Sequence, residues 1–329
     1  MRNPKVSIII PLYNRQVLVS ETLMSVQQQQ YANWEALIVD DGSTDQSYQV
    51  VEEWAKKDER FRLFQRNRVP KGAPTCRNIG LKNAIGELII YLDSDDLLAK
   101  HCLIQRISAF EHHPNYDFLV FPVQFFTNQP GDSPAVWLYE SSEDMLSAFL
   151  LKAQWGTTST IWKKEVLVQL GGFDEHLVKL QDSDLHRRAL LYNLDYKIFP
   201  NSVDAYHRQD DKQERISGKK ADIRTIRSNE YAFFKLHRLL QTAGKVNTLR
   251  NEIVAGHLLS VVRDYASLDR KEEAFRVWEK VYREEMINAK QYQLIRLYIK
   301  YQIMLFNQPD RFTRAFFRRL LPKYLLWHM

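Results

Sequence analysis

Residues 87–96 read ELIIYLDSDD: an unbroken apolar run, Glu87–Leu92, that stops on Asp93, Asp95 and Asp96. A continuous apolar run without polar alternation is what a strand covered on both faces requires, and such strands belong to parallel sheets. The pattern recurs upstream. Lys5–Leu12 (KVSIIIPL) and Glu35–Asp40 (EALIVD) are strands of the same type, Arg62–Gln65 is a shorter one, and Asp117–Phe126 (DFLVFPVQFF) is a fifth. Helical patterns lie between them at Val17–Gln29, Asp45–Lys57, Thr75–Ala84 and His101–His112. This alternation predicts an α/β fold with a mostly parallel central sheet and helices on both faces. Ser43 and Gln46 match a capping box at the second helix, and Gly86 fits a helix stop before the fourth strand.

Beyond Pro130 the pattern loosens. Glu143–Lys152 and Asp182–Tyr192 read as helices, Thr158–Trp162 and Tyr196–Phe199 as short strands, and His207–Lys220 as a polar loop or lid. Asp222–Trp327 reads as four or five helices, an all-α C-terminal region. Charge divides the chain at the same place. Up to Ile216 there are 24 Lys and Arg against 29 Asp and Glu; from Ser217 onward there are 22 against 11. Two domains are therefore expected, 1–216 and a basic helical 217–329. The basic half suits an anionic partner such as a membrane surface, or a set of solvated helix faces. Within Asp310–Met329, Phe312, Phe316 and Leu320 share a helical face while Arg311, Arg314 and Arg318 lie largely away from it. Such a helix lies in a membrane interface or packs on its neighbours.

Several function classes drop out. The two cysteines, Cys76 and Cys102, form no metal-ligand or disulfide spacing, and their scarcity suits a reducing compartment. No apolar run reaches the ~18 residues of a membrane span, and the N-terminus lacks a secretory h-region. The expectation is a cytoplasmic protein, with peripheral contact on the inner face of the membrane through the basic helices as its variant. There is no Walker A loop and no GxGxxG after the first strand. Nothing in the pattern calls for nucleic acid.

What the strand ends do carry is acid. Ligands of an open parallel sheet bind beyond the carboxyl ends of its strands. Asp40 and Asp41 end the second strand, and Asp93, Asp95 and Asp96 end the fourth. Up to five carboxylates on one edge repel one another unless a cation or hydrogen-bond donors offset them. A hard divalent ion with oxygen ligands, Mn2+ or Mg2+, answers that need.

The runs VSIIIPLYN, WEALIVDDGSTD and RNIGLKNAIGELIIYLDSDD, followed by LGGFDE (170–175) and QDSDLHRRAL (181–190), resemble the family-2 inverting glycosyltransferases of the Rossmann-like GT-A fold. The resemblance covers roughly residues 4–210. It implies transfer of a sugar from a nucleotide-sugar, UDP-linked, to a hydroxyl of a glycan or lipid-linked acceptor, in cell-surface polysaccharide or glycoconjugate synthesis. It gives Asp41, Pro11 and Tyr13 to the base, Arg77 to the donor phosphates, and Asp93 and Asp95 to a DxD motif with Asp95 on the metal. His207 completes the metal shell in some relatives, with Arg208 and Arg215 placed to clamp the diphosphate. Asp182 takes the place of the catalytic base, with Asp184 as competitor. Trp155 and Gln181 fall where the acceptor is expected. Each has a plainer reading: a turn aspartate for Asp41, a surface arginine for Arg77, a helix N-terminal acid for Asp182, a cap for Asp96, a core ring for Trp155. Many relatives carry Glu-Asp where this chain carries Gln181-Asp182, which alters acceptor contacts while keeping the base. Two other functions stay open: a non-catalytic nucleotide-sugar-binding partner of an assembly complex, and a nucleotidyltransferase, whose glycine-rich basic signature is absent.

Overall fold

β1 (Val6–Leu12) and β2 (Trp34–Asp40) are buried at every residue, as their largely apolar runs demand, and the buried Ser7 hydroxyl donates to Glu35 (2.6 Å). The computed structural model describes residues 3–137, 142–201, 203–209, 222–305 and 322–325. The chain divides into two compact units. The first takes Met1–Glu143, Ala153–His176 and Gln181–Gln213; the second takes Asp144–Lys152, Leu177–Leu180 and Glu214–Met329.

In the first unit, β1, α1 (Val19–Gln27), β2, α2 (Ser47–Lys57), β3 (Phe61–Gln65), α3 (Ala73–Asn83) and β4 (Leu88–Tyr91) alternate as the pattern predicts. Then follow β5 (Leu97–Leu98), α4 (Cys102–His112), β6 (Phe118–Val120), β7 (Val123–Phe126) and β8 (Val136–Trp137). After α5 (Met145–Leu151), which belongs to the second unit, come β9 (Thr160–Lys163), α6 (Lys164–Gln169), α7 (Gln181–Leu191), β10 (Tyr196–Ile198) and β11 (Ala205–Arg208). The central sheet has the order β10-β6-β9-β4-β1-β2-β3 and is parallel except at β9, which runs antiparallel between β4 and β6. A smaller sheet, β5-β11-β7-β8, stands beside it. This is the mostly parallel α/β architecture expected. One core cluster is built on β1, β2 and β4, with Ile8, Ile10, Ile38 and Ile90 fully buried, and a smaller one holds Val39, Cys76 and Ile79.

Three local expectations change. The fifth strand is two strands. Pro122 has no N–H to donate to a ladder, so β6 stays in the central sheet while β7 turns into the small one. The capping box does not form, because α2 begins at Ser47. The Ser43 hydroxyl instead donates to Asp40 Oδ1 (2.5 Å), and Asp45 Oδ1 accepts the Ser47 N–H (2.9 Å). Gly86 does not stop a helix, since α3 ends at Asn83. It lies so close to β1 that a Cβ there would stand 2.6 Å from the Lys5 carbonyl oxygen.

The second unit is helical: α5, α8 (Ile223–Thr242), α9 (Thr248–Ser267), α10 (Lys271–Arg283) and α11 (Ala289–Leu305). Asp222 caps α8 by accepting the Thr225 N–H (2.7 Å), and Asn247 caps α9 by accepting the Arg250 N–H (2.8 Å). α9 is buried along most of its length and carries the interior of the unit. The amphipathic tail read at 310–329 lies outside the described residues except for 322–325, as does most of the polar loop read at 207–220. Among the described residues, no helix is long and apolar enough to cross a membrane.

Candidate active site

The carboxyl ends of β1, β2 and β4 lie side by side, since Leu12 pairs with Asp40 and Ile9 with Tyr91. Register alone thus sets Tyr13, Asp41 and Asp93 on one edge of the sheet. Two groups of side chains form there.

The first gathers on Asp41, which is 5% exposed. Its Oδ1 accepts from Arg66 Nε (2.6 Å) and from the Gly72 N–H (3.1 Å). Its Oδ2 has no partner among the described residues. Pro11 is buried in β1, and Tyr13 beyond it is 42% exposed with Lys71 Nζ 3.6 Å from its ring centre.

The second gathers after β4. Arg77, on α3, donates through Nη2 to Asp93 Oδ1 (2.6 Å) and through Nη1 to Gln181 Oε1 (2.9 Å) on α7. Burial works against the charge on Asp93, but the Arg77 guanidinium, by charge and hydrogen bond and together with His207 and Arg15, holds the carboxyl below its usual range. Asp95 is in the opposite state. Burial, with Asp96 and Asp93 alongside, pushes its carboxyl up to about 6, although Arg15 and His207 act the other way. Arg15 is its ion-pair partner, with Nε 3.3 Å from Oδ2. Asp96 is 1% exposed. Its Oδ1 accepts the Arg208 N–H (3.1 Å), and its Oδ2 meets the Thr158 hydroxyl (3.2 Å) and His207 Nδ1 (3.0 Å). Asp96 therefore does not cap α4. Its carboxylate ties the acidic turn to β11.

Asp182 lies in the first turn of α7, where Oδ1 accepts the Ser183 N–H (2.7 Å). Burial raises its carboxyl above the usual value, a shift that Ser183 and Arg77 reduce without cancelling. Asp93, Asp96, Asp182 and His207 line one cleft together with Gly156–Ser159 and Trp137. Asp184 is turned away and pairs with Arg188 (2.9 Å). Trp155 is wholly buried against Phe118 and Tyr196, so the ring expected at the acceptor packs in the core while its neighbour Gly156 reaches the cleft. Arg208 binds the Asp95 carbonyl (3.0 Å) and Glu21 (2.6 Å); Arg215 lies outside the described residues.

Arg15, Arg66, Lys71 and Thr158 are the members that sequence reasoning did not single out. Each is an ordinary polar residue in a loop or turn, and only the pairing of distant segments brings Arg15, Arg66 and Thr158 to the acids and Lys71 to Tyr13. Among the described residues, no three His, Cys, Asp or Glu side chains converge as a complete metal cage. The acids still suit a hard cation. Asp95 is strained toward its neutral form by its neighbours, and Mn2+ or Mg2+ commonly takes only one or two protein carboxylates, filling its shell with substrate phosphate and water.

Residues 7–162 match the model of the family described as glycosyl transferase family 2. Among curated relatives, the chain is 29% identical over 164 residues to a GalNAc(5)-diNAcBac-PP-undecaprenol beta-1,3-glucosyltransferase of Campylobacter jejuni, covering 50% of this chain and 53% of the relative. It is 44% identical over 103 residues to a UDP-Glc:alpha-D-GlcNAc-diphosphoundecaprenol beta-1,3-glucosyltransferase of Escherichia coli, covering 31% and 40%. The chain thus spans about half, or less, of these two curated relatives. Among solved structures, S. aureus TarS 1-349 in complex with UDP-GlcNAc superposes with a TM-score of 0.70 at 19% identity, over 96% of this chain and 92% of that one. At that identity the likeness is one of fold.

Proposed function

This chain carries a family-2 glycosyltransferase domain of GT-A fold, and on that premise we propose that it transfers a sugar from a UDP-sugar to a hydroxyl of a glycan or lipid-linked acceptor, with inversion at the anomeric carbon. The observation that carries the proposal is that Asp182 and the acidic-turn residues Asp93 and Asp96 line one cleft together with His207. A base and a diphosphate site must stand on opposite sides of the carbon being transferred.

Asp41 is the base-recognising acid. Its Oδ2 accepts the uracil imide N–H, with Pro11 and Tyr13 beside the ring. Arg77 and Asp93 hold the donor's phosphate and ribose end. Asp95 is the metal carboxylate and His207 the second protein ligand, drawn from β11. Held by Asp95 and His207, Mn2+ or Mg2+ would supply positive charge against the diphosphate. Asp182 takes the proton of the acceptor hydroxyl. The freed oxygen electron pair forms the bond to the anomeric carbon, while the bond to the diphosphate oxygen breaks and its pair leaves with UDP. A carboxylate raised by burial suits this role, because a base poised nearer neutrality holds the proton more firmly.

The Campylobacter jejuni and Escherichia coli relatives, named for undecaprenyl diphosphate acceptors, support a lipid-linked acceptor, and with it we propose a position at the inner face of the membrane. The Staphylococcus aureus complex supports a UDP donor, and a Pyrobaculum calidifontis mannosyltransferase with GDP-Man and Mn2+, at TM-score 0.55, supports a metal. The test is UDP release and product stereochemistry with a panel of UDP-sugars, Mn2+ and polyprenyl-diphosphate sugar acceptors. An acceptor-dependent β-linked product from an α-linked donor is expected. Retention of configuration, or no turnover with any donor, overturns the proposal.

A further inference from the structure

Asp96 is the one acid of the turn that faces away from solvent, and its carboxylate binds Arg208 and His207 of β11 and Thr158 of the cleft. The sheet puts it there. β5 and β11 run antiparallel with Leu98 opposite Ala205 and Leu97 opposite Tyr206. One step further along that register stand Asp96 and His207.

An ionised carboxylate only accepts hydrogen bonds. Its Oδ2, 3.0 Å from His207 Nδ1, therefore requires the proton on that nitrogen. In the neutral ring the lone pair is then left on Nε2. The next residue closes the arrangement, since the Arg208 backbone N–H donates to Asp96 Oδ1 and its side-chain Nε to the Asp95 carbonyl. The carboxylate is thus held from both oxygens, and little water competes for it. Phe125 stands edge-on to the imidazole at 5.7 Å.

We infer that Asp96 is a positioning residue, which fixes His207 as the Nδ1–H tautomer and so presents Nε2 as the ligating nitrogen of the cleft. The inference rests on the reading of His207 as a metal ligand. It gives the third acid of the turn a task separate from its two neighbours: Asp93 and Asp95 face the donor, and Asp96 orients a ligand.

The test uses the full chain labelled with 15N at histidine, without divalent ions and with imidazole neutral. The His207 signals are those lost in His207→Gln. The wild type is expected to show protonated Nδ1 and bare Nε2. Asp96→Asn places an amide against either Arg208 N–H or the imidazole, and is expected to shift the ring toward the Nε2–H form. It is also expected to weaken Mn2+ binding in the presence of UDP, read by electron paramagnetic resonance, by about 10–100-fold. Thr158→Val removes a different donor from the same oxygen and is expected to leave the tautomer unchanged, which separates positioning from general loosening of the cleft. A wild-type ring protonated at Nε2 overturns the inference, even where Asp96→Asn fails to fold. So does a folded Asp96→Asn chain with the wild-type tautomer and Mn2+ affinity. If wild type with UDP binds no Mn2+, the metal reading falls, while the tautomer still decides what Asp96 does.

Discussion

The guanidinium of Arg77 donates to the Asp93 carboxylate at 2.6 Å while its other terminal nitrogen reaches Gln181, so one side chain joins the acidic turn after β4 to the helix that bears Asp182. Gln181 is neutral, and Asp93 is the carboxylate that ion-pairs with Arg77. Arg77→Lys keeps the charge but replaces a planar fork by a single point of donation. It is expected to lose the bridge to Gln181 and to lower kcat/KM about ten- to a hundredfold, the equivalent of one charged hydrogen bond. Steady-state kinetics at saturating metal would read this, and an unchanged kcat/KM would show the bridge to be idle.

Asp182→Asn keeps the shape of the cleft and removes the proton acceptor. Turnover is expected to fall by roughly a hundred- to ten-thousandfold. UDP affinity is expected to stay close to wild type, because the contacts assigned to UDP come from Asp41, Arg77, Asp93 and Asp95. Calorimetry with UDP beside single-turnover rates distinguishes the two; wild-type turnover would remove Asp182 from the reaction.

Asp95 gives the metal-free protein a pH signature. Its folded value of about 6 lies above the ordinary carboxylate value. The folded state therefore holds a proton that the unfolded chain has released, and stability falls as pH rises through the window from about 4 to about 6. Asp95→Asn is expected to flatten that part of the profile. Mn2+ is expected to stabilise the wild type more above the window than below it, where the proton competes. Urea melts from acid to neutral pH, with and without Mn2+, would check both signs.

A second carboxylate–guanidinium pair is structural. Arg106 and Asp204 are both 0% exposed, joined by Nε to Oδ2 (2.8 Å) and Nη2 to Oδ1 (2.6 Å). Removing one partner strands a buried charge. Arg106→Leu is expected to cost about 3–5 kcal/mol in denaturant unfolding, and the double change Arg106→Leu with Asp204→Leu less than the sum of the two single changes.

The first half of the sheet was legible because its strands are buried on both faces. β1, β2 and β4 carry that fact in largely apolar runs, and the acids at their ends marked the edge where the site assembles. The second half was less so. β6 and β7 read as one strand because Phe and Val continue across Pro122, and composition does not reveal a change of sheet. Gly86 was given a helix-ending role because local sequence cannot anticipate the carbonyl of Lys5 above it. Trp155 looked available because residue type does not report burial. Arg15 and Arg66 were passed over for the converse reason: loop arginines are commonplace, and what distinguishes these two is an aspartate 80 and 25 positions away.

The antiparallel β9 has a consequence for how this protein comes into being. β4 ends at Tyr91, yet its neighbour on the far side, β9, is not synthesised until Thr160–Lys163, and β10 comes later still. A nascent chain can pair β1, β2, β3 and β4 early, but it must then carry the apolar edge Leu88–Tyr91 unpaired while some seventy further residues emerge. Pairings that span so much sequence form slowly and leave an adhesive edge open. The acidic turn that follows β4 lies at the end of that open edge, so the cleft wall at Gly156–Ser159 takes its place only as β9 docks and closes the sheet.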